Sequence, residues 1–192
     1  MHVHKKVGAL LFLAGAQFAI LLIVAETQYQ GYDVGTNYIS DLGLWDKGSA
    51  IIFNPSVFMF GLLGLMAAIL MYRKYKFRLE CLFLALSGIG AMGVGIFNET
   101  HGLEHYTSAM LAFLFGALTA ITFFRRLKAP LSYMALFLGI ASLVATALEL
   151  SGNFLGLRVG GMERMILYPE LLFVIGLGGY MAALKEPLPV AK

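Results

Sequence analysis

The residues best placed to do chemistry lie in one short string, Asn98-Glu99-Thr100-His101-Gly102-Leu103-Glu104-His105. His101 and His105 are four apart, so on a helix they share a face one turn apart, and Ser108 continues it. Two imidazoles at that spacing can grip one divalent metal, zinc or another, with Asp41 or Glu163 as a further ligand. The string also fits H-x-x-E-H, the inverted zinc-protease pattern, in which the glutamate activates water. The soluble domain that carries that pattern in proteases has no counterpart here, so peptidase chemistry is set aside. Three readings remain. One is a metal site with Glu104 or Glu99 as the base. Another is a pH-responsive histidine pair. The third is a polar pair that caps a helix and bonds to its neighbours.

Two further strings carry unusual polarity. In Thr36-Asn37-Tyr38-Ile39-Ser40-Asp41-Leu42-Gly43, Ser40 or Asp41 can cap a short helix that Gly43 ends. The functional reading instead sends Asp41, with Asn37 or Ser40, toward the histidines as a metal ligand or an orienting carboxylate. In Gly160-Gly161-Met162-Glu163-Arg164, followed by Tyr168-Pro169-Glu170, Arg164 and Tyr168 share a helix face, as do Glu163 and Glu170. Charge inside an apolar span needs a partner. Arg164 is the expected partner of Glu170 or Glu149, either as a structural ion pair or as the holder of an anionic lipid headgroup.

The elements that position these strings are six apolar runs, at about 7–25, 49–72, 81–97, 101–124, 131–150 and 162–184. The chain of 192 residues is 59% hydrophobic and only 13% charged, about half the share usual in a soluble domain. Crossing a bilayer takes roughly 20 apolar residues per helix, which each run approaches or exceeds. The backbone polar groups must then be paired within each run, so the expectation is a single all-α domain over 1–192, a six-transmembrane-helix bundle. His2 to Lys6 before an apolar run resembles a signal peptide. The chain starts at Met1, however, and Val7–Ala25 exceeds a signal core of about 7–15 residues, so a first membrane helix is expected.

Charge gives the orientation. With the N-terminus in the cytoplasm, eleven of the fourteen Lys and Arg lie inside, Lys192 among them, and only Lys47, Arg158 and Arg164 lie outside. Both termini are therefore expected in the cytoplasm, in a multi-pass protein of the cell membrane. Nine of the eleven acids fall in outer loops or outer parts of spans, an asymmetry that orientation does not require. The net charge of +3 is accounted for by these loops, so no nucleic-acid partner is expected. The outer loop at about 26–48 is the one sizeable stretch outside the membrane.

Other signals have plain readings. Gly88-Ile89-Gly90-Ala91-Met92-Gly93 fits a dinucleotide fingerprint but lies inside a span, where glycines let helices approach closely. The same glycine faces could join a second copy or a partner. Cys81, the lone cysteine, reads as a small buried hydrophobe. Phe53-Asn54-Pro55 echoes Leu167-Tyr168-Pro169, which places a proline near the outer end of two helices.

Taken together, the strings Asn37-x-Ile39-Ser40-Asp41-Leu42-Gly43, Phe53-Asn54, Gly95-Ile96-Phe97-x-Glu99 with His105, and Gly161-x-Glu163-Arg164 with Tyr168-Pro169 resemble a prokaryotic membrane family, domain of unknown function nine-nine-eight. The likeness covers nearly the whole chain, with Asn98 standing where that pattern has proline. The family looks distantly similar to six-helix proteins of the DRAM and GPI-anchor-remodelling type, which implies six helices, an outer-side site and a connection with membrane lipids.

The leading expectation is a lipid-acting membrane protein with a polar site near the outer leaflet. His101 and His105 bind a metal with Asp41 or Glu163, Glu104 or Glu99 activates water, and Asn37, Ser40, Arg164 and Tyr168 hold the lipid. The alternatives are a non-enzymatic membrane subunit or assembly factor, and a transporter. The last is disfavoured because few ionisable residues fall at mid-span.

Overall fold

A computed structural model describes residues 2–189; Met1 and Lys192 lie outside them. The chain forms six long helices: α1 Val3–Gln28, α2 Ala50–Tyr75, α3 Arg78–Ile96, α4 Leu103–Phe123, α5 Leu131–Leu150 and α6 Arg158–Ala183. All six are long and apolar enough to cross a membrane. The chain is an all-α, multi-pass membrane protein.

Each helix packs against its neighbours in sequence, and α6 closes the ring on α1. The α4–α5 and α5–α6 seams are looser than the other four. An even number of antiparallel helices brings the N-terminus and the end of α6 together at one end, here the terminal end. It also holds the α2–α3 and α4–α5 connections. Ten of the thirteen described Lys and Arg lie there. The other end carries residues 29–49, whose only regular element is a single 3-10 turn, Ser40–Gly43.

Glycine decides how closely the helices approach. A Cβ on Gly88 would lie 2.7 Å from the Gly61 carbonyl oxygen of α2, and one on Gly90 would lie 2.7 Å from the Ser108 carbonyl oxygen of α4. The run that mimics a dinucleotide fingerprint is therefore a two-sided seam. Gly88 and Gly95, two turns apart, face α2, while Gly90 and Gly93 face α4.

Two large apolar cores and a small third one of Ala145, Met162 and Ile166 fill the ring. One large core, at the terminal end, includes Leu11, Met71, Tyr75, Phe123, Phe173 and Met181. The other, at the long-loop end, includes Phe18, Leu22, Leu42, Phe53, Val57 and Leu167. α6 starts four residues before its expected start, so Pro169 and Glu170 lie at its midpoint rather than near one end. The expected pairing of Glu170 with the outer part of the span is corrected accordingly.

Gly61→Leu should force α2 and α3 apart and cost about 3 kcal/mol. Gly64→Ala, one turn on, meets no atom within 4 Å and should leave stability unchanged or slightly raised. Thermal unfolding of both variants in detergent checks the pair.

Candidate functional site at the long-loop end

The loop between α1 and α2 folds back onto the ring because two helices and the α3–α4 turn supply partners for its backbone. The Ile39 N–H donates to the Glu163 carboxylate of α6, a buried contact. The Gly43 carbonyl accepts from Asn54 Nδ2 of α2 at 3.0 Å and from Asn98 Nδ2 at 3.4 Å. Gly43 has no room for a side chain, since a Cβ would lie 2.6 Å from Asn54 Oδ1. Asn98, where the sequence resemblance leads one to expect proline, also accepts from the Thr100 N–H and hydroxyl, at 3.2 and 2.7 Å. Proline has no side chain able to make these bonds, so this chain fixes the turn through the amide.

Arg164 fastens the other side. Its Nη1 donates to the Val34 and Gly160 carbonyls, each at 2.9 Å. Its Nη2 donates to Glu26 at 2.5 Å and to the Tyr32 hydroxyl at 2.8 Å. Burial pushes the Tyr32 hydroxyl up to about 12, against the opposing pull of the guanidinium. Arg164 is only 5% exposed, and Glu26 of α1 is its ion-pair partner. The expected pairing with Glu170 or Glu149 is not formed, because the guanidinium turns toward the loop. These four bonds also leave it poorly placed to hold a lipid headgroup.

The histidine-bearing string is rearranged relative to its sequence reading. Helix α4 begins at Leu103, and Gly102, at φ 56° and ψ −105°, breaks the chain from a short 3-10 turn, Glu99–His101. His101 and His105 therefore do not share a helix face. His101 is exposed and its Nδ1 lies 3.0 Å from Asn98 Oδ1. Glu104 is exposed in the first turn of α4, with its carbonyl accepting from Ser108. Among the described residues, no three His, Cys, Asp or Glu side chains are grouped to hold a metal ion. Tyr168 is 43% exposed on the outer surface of α6.

What does converge is a different set. Ser40 Oγ donates to Glu99 Oε1 instead of capping its turn. Asp41 accepts from Asn37 Nδ2 at 2.8 Å and from the Tyr38 N–H at 3.0 Å, which holds its carboxylate beside Glu99. Burial, reinforced by Asp41, pushes the Glu99 carboxyl up to about 7. Tyr38 is raised as well, by burial and then by Glu149, Glu163, Glu99 and Asp41. His105 Nδ1 lies 2.7 Å from the Phe97 carbonyl oxygen. A carbonyl only accepts, so Nδ1 carries the proton and Nε2 is left as the basic nitrogen.

These groups border a cavity of about 370 Å³. Its polar side is Tyr38, Ser40, Glu99, His105, Glu149 and Glu163; its apolar side is Ala109, Met110, Phe113 and Leu150, along the α4–α5 seam. A narrower space continues inward from Ser40, His105 and Glu163 to Glu170. Tyr38 and Thr146 were missed in the sequence. Thr146 and Glu149, three apart on α5, carried a detectable signal, since both are polar on one face of an apolar helix.

The family model described as "Protein of unknown function (DUF998)" matches residues 12–180. The chain belongs to that family. No curated protein and no solved structure matches it. The wider likeness to DRAM-type and GPI-anchor-remodelling proteins therefore rests on the sequence resemblance alone.

Two outcomes follow. Arg164→Gln leaves Glu26 without its cation and should cost about 3 kcal/mol, with Glu26→Gln/Arg164→Gln costing less than the sum of the single changes. Glu99 keeps its proton in the fold up to about pH 7, whereas the unfolded chain releases it near 4.5. Folding then takes up a proton in that window, so stability falls as pH rises through it. Glu99→Gln should flatten the profile, as measured by thermal unfolding across the window.

Proposed function

We propose that the chain acts on an amphiphilic lipid, with the polar headgroup in the long-loop cavity and the apolar part along the α4–α5 seam. The observation that carries this reading is the two-sided lining of that cavity, polar toward the loop and apolar toward the membrane, at one of the looser seams of the ring. Pockets of this size hold small molecules when a few convergent polar groups orient them.

The lining favours particular headgroups. Glu99, Glu149 and Glu163 are acceptors when ionised, and the nearest guanidinium is taken up by Glu26 and the loop. Hydroxyl and amine donors suit such a wall better than phosphate does. The steep bias of Lys and Arg toward the terminal end supports placing that end in the cytoplasm and the cavity near the outer leaflet of the cell membrane.

The chemistry that fits is hydrolysis or group transfer at the headgroup or acyl linkage. In hydrolysis His105 Nε2 takes a proton from water, the water oxygen bonds to the acyl carbon as the ester C–O bond breaks, and Glu99, near neutrality, gives its proton to the departing alcohol oxygen. Ser40 holds Glu99 in place, and the Ile39 N–H holds Glu163.

The test uses purified protein with phosphatidylethanolamine, diacylglycerol and phosphatidic acid, whose headgroup is phosphate alone. Binding is read by native mass spectrometry and turnover by lipid analysis. An amine or hydroxyl headgroup should be preferred. Ala109→Trp should abolish binding. His105→Ala and Glu99→Gln should keep binding while turnover falls roughly 10²–10⁴-fold. Equal binding of all three lipids that is indifferent to Ala109→Trp, with no turnover, would sink the reading.

A further inference from the structure

Glu170 is absorbed neither by the loop fastening nor by the proposed chemistry. It lies at the midpoint of α6 and is 6% exposed. Its Oε1 accepts from Ser142 Oγ of α5 at 2.8 Å. Its carboxyl occupies the space that a side chain on Gly116 of α4 would take, so three helices shape its seat. Pro169 beside it has no N–H to give the Met165 carbonyl, which interrupts the helix ladder at this level.

No described ion pair includes Glu170; the three present are Lys47–Asp46, Arg126–Glu80 and Arg164–Glu26. The elements packed around it bring no cation. α1 and α2 present Leu11, Ala14 and Phe60, and α3 presents Leu84 and Ser87. α4 brings Gly116 and Thr119, and α5 brings Ser142. The titratable groups that share a cavity with Glu170 are Glu163 and His105, both toward the long-loop end. On the terminal side a second small cavity is floored by Phe173 and Val174. Glu170 thus borders two internal spaces, and the one on its loop side shares Ser40, His105 and Glu163 with the long-loop cavity.

An ionised carboxylate at the centre of a membrane protein is too costly to stand without a counter-charge, and residues of this kind mark proton and ion pathways. A proline-interrupted helix lining a cavity is the local architecture in which such sites are built. We propose that Glu170 is a proton-binding site in the interior of the bundle, addressed from the long-loop end through the cavity it shares with Glu163 and His105. Ser142 orients the carboxyl, Gly116 makes room for it, and the throat between Ala109, Phe113 and Glu163 sets access to it. The site gives the protein a means of coupling events at the mouth to proton uptake. It does not depend on a lipid substrate.

Full-length protein in detergent is treated with the membrane-soluble reagent dicyclohexylcarbodiimide, which attacks protonated carboxyls, and is then mapped by peptide mass spectrometry. About one adduct per chain should form on Glu170, declining as pH rises and unaffected by sodium ions. Glu170→Gln should remove the adduct and also the protonated-carboxyl infrared band that persists at about pH 9, above the titration of Glu99, while Glu163→Gln should retain both. In Ala109→Trp, labelling by a water-soluble carbodiimide should fall at least about tenfold, with the membrane-soluble reagent still effective. Absence of an adduct on Glu170, labelling that does not change with pH, or protection by sodium would overturn the proton assignment. Equal water-soluble labelling in Ala109→Trp would overturn access from the long-loop end.

Discussion

Irregular backbone can enter the end of a membrane bundle only if side chains meet its free N–H and C=O groups, and every other feature of the long-loop end follows from how this chain meets them. A carboxylate receives the Ile39 N–H, two amides reach the Gly43 carbonyl, and a guanidinium takes the Val34 carbonyl. The donors and acceptors come from α2, α6 and the α3–α4 turn. Once the loop is seated in this way, Ser40 and Asp41 have little freedom left. They face Glu99, and the cavity forms beneath them.

The same fastening explains why the polar residues are so unequal in role. Arg164 and Glu163 are adjacent in sequence and both buried, yet α6 points them at different tasks. Arg164 turns to Glu26 and the Val34 carbonyl of the loop, whereas Glu163 reaches Ile39 and lines the cavity. Successive residues on a helix are about 100° apart, so neighbours in the chain seldom share a site. The spacing of seven that joins Glu163 to Glu170 is the more informative relation, and both do line one space.

Six helices, their order and the glycine seam could be read from the sequence, because apolar length and small-residue spacing act locally. The convergence of the three polar strings was also legible, since each sits in a connection at the same end. The pairing inside the cluster was not. Gly102 lies inside the polar string and its residue type alone marks no boundary, yet its positive φ ends one turn and starts a helix, which separates His101 from His105. The choice of Glu26 as partner of Arg164 depends on how the α1 end packs against α6, across 138 residues of sequence. The depth of Glu170 depends on where α6 begins. The expected start at about 162 leaves Gly160 and Gly161 outside, but Gly160 is drawn into the helix and its N–H bonds the Gly35 carbonyl.

Proline at position 169 removes one hydrogen bond from the middle of α6, so the continuous helix behaves mechanically as two stiff rods sharing a weaker joint. The upper rod is tied to the loop by Glu163 and Arg164. The lower rod is locked to α1, where Gly178 lies against the backbone of Phe12 and Met181 fills the terminal core. A rod held at both ends with a weakened joint in the middle bends at that joint, and the joint carries a carboxyl. Any change of charge or occupancy there acts on a lever whose long arm is the loop itself.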